Sequence, residues 1–251
     1  MREKAELAER GFVLRRGVFA KPELRAMGDA CEALVERLLM EKRRTKHALG
    51  SYMFELQRHL QTIVKWEPSD PNLVQGLELF AHLSESLHRW ALDRRFIEPC
   101  TDLVGEEDIQ LFTEKLNLKR ARKGGSIILH QDFPYWTGVN KAAARVATAM
   151  LFLDDATVEN GCLEVVPGSH REGLSTRRAL EGLGGMEIDP ALYDHARLLP
   201  VPVKAGAVIF FGPFLVHRSL PNRAGADRRA LLFSYQPPGL PHLRELLMSP
   251  Q

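Results

Sequence analysis

Ser126-Ile-Ile-Leu-His130-Gln-Asp132-Phe-Pro-Tyr-Trp136 is the stretch from which the fold and chemistry of this chain are read. A short apolar run leads into a histidine, and a carboxylate follows two positions later. Along extended backbone, residues i and i+2 project to the same side. On that expectation His130 and Asp132 aim an imidazole nitrogen and a carboxylate oxygen at one point. Such an N/O pair suits a divalent transition metal, and one further histidine would complete a face with open coordination positions. His-x-Asp is too short to carry this alone, because a solvated turn at a strand end has the same form.

A second histidine stands in Gly206-Ala-Val-Ile-Phe-Phe-Gly-Pro-Phe-Leu-Val-His217-Arg-Ser219, at the end of another apolar run. Taken singly, His217 reads as a core histidine bonded to backbone; paired with His130 and Asp132 it becomes the candidate for the missing ligand. Downstream, Arg228 and Arg229 enter the apolar segment Ala230-Leu-Leu-Phe-Ser-Tyr235. An arginine there is expensive to bury unless a carboxylate meets it, and a bidentate pair would anchor a dicarboxylate ligand. Arg228 shares a strand face with Ala230, Leu232 and Ser234, and Arg229 shares one with Leu231, Phe233 and Tyr235. Alternation alone leaves open which of the two points inward.

The ordered set His130-Gln-Asp132, Asn160-Gly-Cys-Leu-Glu-Val-Val-Pro-Gly-Ser-His170 and His217-Arg-Ser-Leu-Pro-Asn222, with an arginine eleven residues after His217, resembles the phytanoyl-CoA dioxygenase family. These are iron(II)- and 2-oxoglutarate-dependent oxygenases on a double-stranded β-helix. The resemblance covers residues 110–238 most fully and extends loosely to the N-terminal Gly-Phe-Val-Leu and the helix after it. It implies His130, Asp132 and His217 as ligands of Fe(II), with O2 as oxidant. Its spacing implies Arg228 for the distal carboxylate of 2-oxoglutarate, with Ser219 beside it. Leu116-Asn117-Leu-Lys119 and Thr148-Ala-Met150 imply Asn117 and Thr148 as further cofactor contacts. Asp132-Phe133-Pro-Tyr-Trp136 resembles hydroxylases of small polar metabolites such as ectoine hydroxylase. That implies Trp136 and Phe133, with Lys115, as substrate contacts; core packing is the competing role for Trp136.

The implied reaction hydroxylates an unactivated C–H bond of an amino-acid-like or natural-product metabolite, releasing succinate and CO2. A carboxylate at 132 fills the place that halogenating relatives leave for chloride, so hydroxylation, desaturation or ring closure is expected instead. Two other classes use the same ligands. A cupin-like metal-dependent hydrolase or isomerase would need Glu164 or His170 as base and would leave Arg228 without a purpose. A non-catalytic small-molecule-binding barrel would be expected to have lost a ligand.

Composition narrows the field. Lys plus Arg (34) nearly balance Asp plus Glu (32), so no global field points to nucleic acid. Cys31, Cys100 and Cys162 are sparse and odd in number, which argues against a disulfide framework and for a reducing cytoplasm. No apolar leader opens the chain and no run reaches the roughly 18–20 apolar residues of a membrane span. The expected partner is a small molecule, acting on a cytoplasmic monomer or homodimer.

A single oxygenase domain is expected over 1–251, its first 108 residues mainly helical and residues 109–238 forming a jelly-roll, cupin-like β core. A short strand precedes a helix opened by Pro22 and striped by Leu24, Met27, Cys31, Leu34 and Leu38. Residues 51–65 and 74–92 read as helices, and Lys42–His47 as a solvated basic helix end, with anion docking the alternative. Strands are predicted at 110–118, 126–130, 145–153, 162–166, 198–203, 207–211 and 228–236. Residues 171–197, rich in Gly and charge, read as a lid loop.

Overall fold

The computed structural model describes residues 2–41, 45–49, 52–175 and 186–248. The chain opens with α1 (Arg2–Arg10) and β1 (Phe12–Arg15), joined through Gly11 at φ 82°. Pro22 then begins α2 (Lys21–Met40), whose Glu23 carboxylate accepts from the Ala20 amide at 2.8 Å. The expected stripe is real: Leu24, Met27, Cys31, Leu34 and Leu38 are all buried. Residues 42–44 of the basic run lie outside the described residues, while Lys46 stands 3.5 Å from the centre of the Trp66 ring.

The stretches 51–65 and 74–78 depart from the helices expected of them. With their neighbours the described residues form β2 (His47–Leu49), β3 (Tyr52–Gln57), β4 (Thr62–Glu67) and β5 (Asp70–Glu78), an antiparallel meander. Only α3 (Glu85–Ala91) of the second expected helix is α-helical, followed by α4 (Arg94–Val104). The first 108 residues are therefore mixed rather than mainly helical. The physical reason is visible in β4, where Val64 and Trp66 join the core under the helices and Ile63 and Lys65 face the other way. Over so short a window, mixed apolar and polar residues fit both periods. Pairing of Gly76 and Leu77 with Asn117 and Leu116 decides for strand.

From there the expected strands form: β6 (Gln110–Lys119), β7 (Ile127–His130), then the short α5 (Phe133–Trp136), β8 (Ala147–Phe152), β9 (Leu163–Val165), β10 (Leu199–Val201) and β11 (Val208–Phe211). β12 (His217–Ser219), β13 (Arg228–Gln236) and α6 (Leu243–Met248) complete the chain. Among the described residues one sheet runs β1-β11-β8-β13-β6-β5-β4-β3-β2 and a second runs β10-β9-β12-β7. The fold is mainly β, a jelly-roll core with helices packed on it.

Strand alternation sorts side chains between two layers. Ala147, Ala149, Leu151, Leu231, Phe233 and Tyr235 of the large sheet pack with Met27, Cys31 and Leu34 of α2 and Phe96 of α4. Met150, Phe152 and Ala230 point the opposite way, to Leu163 and Val165 of the small sheet. The sheet thus buries both faces, and the interior between the sheets is where the candidate ligands lie.

Met27 has no exposed surface and sits at the centre of the helix–sheet layer. Met27→Ala is expected to lower unfolding free energy by about 2–4 kcal/mol through lost burial and a residual cavity. Urea denaturation checks this, with exposed Arg25→Ala as a control that moves by no more than about 0.5 kcal/mol.

Candidate functional site

β7 and β12 pair antiparallel with His130 opposite His217, which brings their ring centroids to 4.2 Å. Asp132 arrives differently from the sequence expectation. It lies just beyond β7 in helical backbone, φ −72° and ψ −28°, where the chain turns into α5. The pair therefore meets through a turn and not through strand alternation. One ligand atom from each of His130, Asp132 and His217 lies within 4.8 Å of the others, and all three residues are buried.

The protonation pattern suits ligation. Nδ1 of His130 is 2.8 Å from the Ile128 carbonyl and Nδ1 of His217 is 2.9 Å from the Leu215 carbonyl. A carbonyl only accepts, so each Nδ1 carries the proton and each Nε2 keeps its lone pair for a metal. Burial, helped by the neighbouring His130 ring, pushes His217 down to about 4, so it is neutral at ordinary pH. Burial acts to raise the Asp132 carboxyl, but the adjoining His130, 3.6 Å away, and the Lys115 ammonium outweigh it and hold it well below the usual range. The site offers the Nε2 atoms of two imidazoles and one carboxylate, the donor set of a divalent transition metal.

Gln131, between two of the candidate ligands, is buried and spends its amide on neighbouring backbone. Its Nε2 donates to the Gly173 carbonyl at 2.8 Å and the Phe214 carbonyl at 2.7 Å, and its Oε1 accepts from the Ser175 amide at 2.9 Å. At the far end of the expected loop, the Ile188 amide donates to the Leu129 carbonyl at 2.9 Å. Residues 176–185 of that loop lie outside the described residues, but both flanks are fastened to the strand that carries His130.

The arginine question is settled by packing. Arg228 points inward with Ala230, is fully buried, and donates Nη2 to the Gly161 carbonyl at 2.8 Å. Its Nε and Nη1, like Ser219 Oγ, have no hydrogen-bond partner among the described residues. Burial pushes the guanidinium down to about 10, still charged at neutral pH. Arg229 faces the helices and is held by Asp154 at 2.9 Å and by Glu32 of α2 at 3.3 Å. A buried guanidinium with two idle N–H groups is costly unless an anion completes it.

One cavity of about 350 Å3 is lined by His130, Asp132, His217, Arg228, Ser219 and Asn117, and also by Lys115 and Trp136. Trp136 lines the cavity and is also buried edge-on against Phe112 at 5.6 Å. Two expected contacts lie elsewhere. Thr148 spends its hydroxyl on Ser234 at 2.9 Å, and Phe133 stacks on Phe214 at 4.6 Å; neither lines the cavity. Glu164 is tied to Arg218 at 2.5 Å and the His170 ring packs against Gly11, so neither stands at the ligands as a base. Sequence reasoning missed Tyr52, Phe54, Ile63, Lys65 and Glu78, which form the wall contributed by β3, β4 and β5. The alternation Ile63-Val-Lys65-Trp66 was the available signal.

The profile of the Phytanoyl-CoA dioxygenase (PhyH) family matches residues 7–230. Phytanoyl-CoA dioxygenase domain-containing protein 1 of Danio rerio is 32% identical over 115 residues, 44% of this chain and 39% of that protein. Methylphosphonate hydroxylase of Gimesia maris is 32% identical over 157 residues, 62% of this chain and 56% of that one. The chain thus spans between about two fifths and just over half the length of these curated relatives. The crystal structure of EctD from S. alaskensis with 2-oxoglutarate and 5-hydroxyectoine superposes with a TM-score of 0.72 at 22% identity, covering 94% of this chain and 75% of that one. At that identity the likeness is one of fold.

Metal-free protein is expected to bind one cobalt(II) ion, read from its visible absorption. His217→Ala should weaken that binding by more than about a hundredfold, since even loss of an outer-shell partner costs 10- to 100-fold. Retention of wild-type affinity in this variant would place the ion elsewhere.

Proposed function

The chain belongs to the phytanoyl-CoA dioxygenase family, and on that basis we propose that it is an Fe(II)- and 2-oxoglutarate-dependent dioxygenase hydroxylating a small metabolite with release of succinate and CO2. The observation that carries the reading is the pairing, in one cavity, of the His130/Asp132/His217 cluster with a buried Arg228 whose Nε and Nη1 are idle. A metal-dependent hydrolase or isomerase has no use for that guanidinium, and a plain binding barrel has no need of the three converging ligands.

His130 and His217 would hold the iron through Nε2 and Asp132 through its carboxylate. Arg228 and Ser219 would take the distal carboxylate of 2-oxoglutarate with the donors that lack partners among the described residues, and Asn117 lies on the wall beside them. Bound iron and 2-oxoglutarate supply an oxidant drawn from O2, strong enough for an unactivated C–H bond. The chain's part is to position and to exclude water. Met150, Phe211, Leu163 and Leu232 give the cavity an apolar wall close to the ligands. Asp132 occupies the place a halide would need, which favours hydroxylation over halogenation.

The cavity is at the small end for ligand sites, and the co-substrate must share it. This supports a compact amino-acid-like or natural-product substrate, with Lys115 and Trp136 among its contacts and a role in secondary metabolism. The relative named a methylphosphonate hydroxylase points the same way. We place the enzyme in the cytoplasm as a monomer or homodimer: its cysteines are free and buried, as a reducing compartment allows, and no described helix is long and apolar enough to cross a membrane.

Anaerobic titration of iron(II) and 2-oxoglutarate into apoprotein should produce a visible charge-transfer band. Asp132→Ala should abolish it, and Arg228→Ala should weaken 2-oxoglutarate binding by about tenfold or more through loss of charge-assisted hydrogen bonds. Arg229→Ala, which breaks only the contacts to Asp154 and Glu32, should keep the band while lowering thermal stability. A normal band in both the Asp132 and Arg228 variants would contradict the assignment.

A further inference from the structure

We propose that the substrate carries an oxyanionic head group, a carboxylate or phosphonate, which docks against the cavity-facing donors of Lys65 and Lys115. The inference rests on the oxygenase reading for where the rest of the substrate lies, but its charge argument stands on the cavity wall itself.

Lys65 of β4, Glu78 of β5 and Lys115 of β6 lie on three neighbouring strands and line the cavity together. Lys65 Nζ is 2.6 Å from Glu78 Oε1, and Lys115 Nζ is 3.7 Å from the same oxygen. Two ammonium groups thus share one carboxylate oxygen, which leaves a surplus positive charge and several unspent N–H donors. Burial acts to raise the Glu78 carboxyl, yet the two lysines outweigh it and hold Glu78 ionised. The trio is not sealed off as a purely structural pair would be: the lysine side chains keep 26% and 23% of their surface open, against 13% for Glu78.

No other charge lining the cavity answers this surplus among the described residues. Arg218 is neutralised by Glu164, and Asp132 would be taken up by the metal on the oxygenase reading. With iron(II), Asp132, Arg228 and doubly ionised 2-oxoglutarate in place, those charges cancel one another. The lysine pair then faces the remaining volume with a net charge that an acidic substrate would complete.

Geometry fits the same occupant. Gly76 stands between Lys65 and Asn117 in strand register, and a side chain there would collide with the Leu116 carbonyl, so none fills the wall between the ammonium and the amide. Lys65 lies 5.0 Å from the Tyr52 ring centre and Lys115 lies 5.8 Å from that of Trp136, contacts that hold both cations in place. Phe54 and Ile63 on the same wall leave an apolar surface for the body of the molecule.

The test uses the full chain, metal-free and again with iron(II) and 2-oxoglutarate under argon. Pentanoate, pentylphosphonate, pentanamide and pentylamine are titrated against tryptophan fluorescence. Either acid is expected to bind about tenfold or more tightly than the amide, with the amine weakest. Lys65→Met and Lys115→Met should each erase most of that preference, whereas Glu78→Gln should tighten acid binding; thermal melts verify folding. Equal affinity for acid and amide, preference for the amine, no saturable binding of either acid, or an acid preference untouched by both lysine variants would overturn the proposal. So would lysine variants that weaken 2-oxoglutarate itself as much as the second acid, since the lysines would then belong to the co-substrate. Failure of the charge-transfer band in the wild type would count against the oxygenase reading alone, because acid preference is read on metal-free protein too.

Discussion

His130 and His217 face one another because β7 and β12 pair in a single antiparallel register, and the rest of the site is arranged around that contact. A slip of one residue would turn one imidazole to the opposite face and leave the carboxylate of Asp132 with a single nitrogen partner. Several features hold the register. β9 pairs with the other edge of β12, Val216 donates its amide to Ser169 Oγ at 2.9 Å, and Gln131 ties the strand end to the Phe214 carbonyl at 2.7 Å. Both Nδ1 atoms are engaged by the carbonyl two residues back along the chain, so ring orientation and proton position come from the backbone that leads into the pairing.

Opposite this pair the large sheet contributes charge. Arg228 sits on the same interior as Met150 and Phe152, with only the Gly161 carbonyl as hydrogen-bond partner among the described residues. Burying a guanidinium in this way lowers stability unless an anion arrives, so the folded protein carries a built-in preference for an acidic ligand. The neighbouring Arg229 shows the contrast: its surroundings supply two carboxylates, and it serves the junction of sheet and helix. The wall of β4, β5 and β6 extends the same logic outward, with two lysines sharing one glutamate.

The chain's departures from simple patterning fall where tertiary contacts override local signals. Residues 52–78 mix polar and apolar types at spacings that serve either period, and they became strands because β6 offered an unpaired edge. Asp132 reached the metal site through helical backbone because the next residues, Phe133-Pro-Tyr-Trp136, form a turn of helix. Thr148 and Phe133 were drawn to Ser234 and Phe214, nearer partners than the cavity.

What the sequence determined by itself was the β core and the identity of the candidate ligands. Its strands from 110 to 236 announce themselves by β-branched and aromatic runs between turn residues, and His130, Asp132 and His217 are the residue types a metal face requires, set at or just beyond strand ends. Tertiary structure alone decided which arginine turns inward. Either parity of the strand Arg228–Gln236 is locally acceptable, and only the helices covering one face, with Glu32 waiting there, send Arg229 outward and Arg228 to the cavity. It also alone brought Lys65, Glu78 and Lys115 together, because strand pairing joins residues far apart in the chain and no local pattern encodes which edge a distant strand will meet.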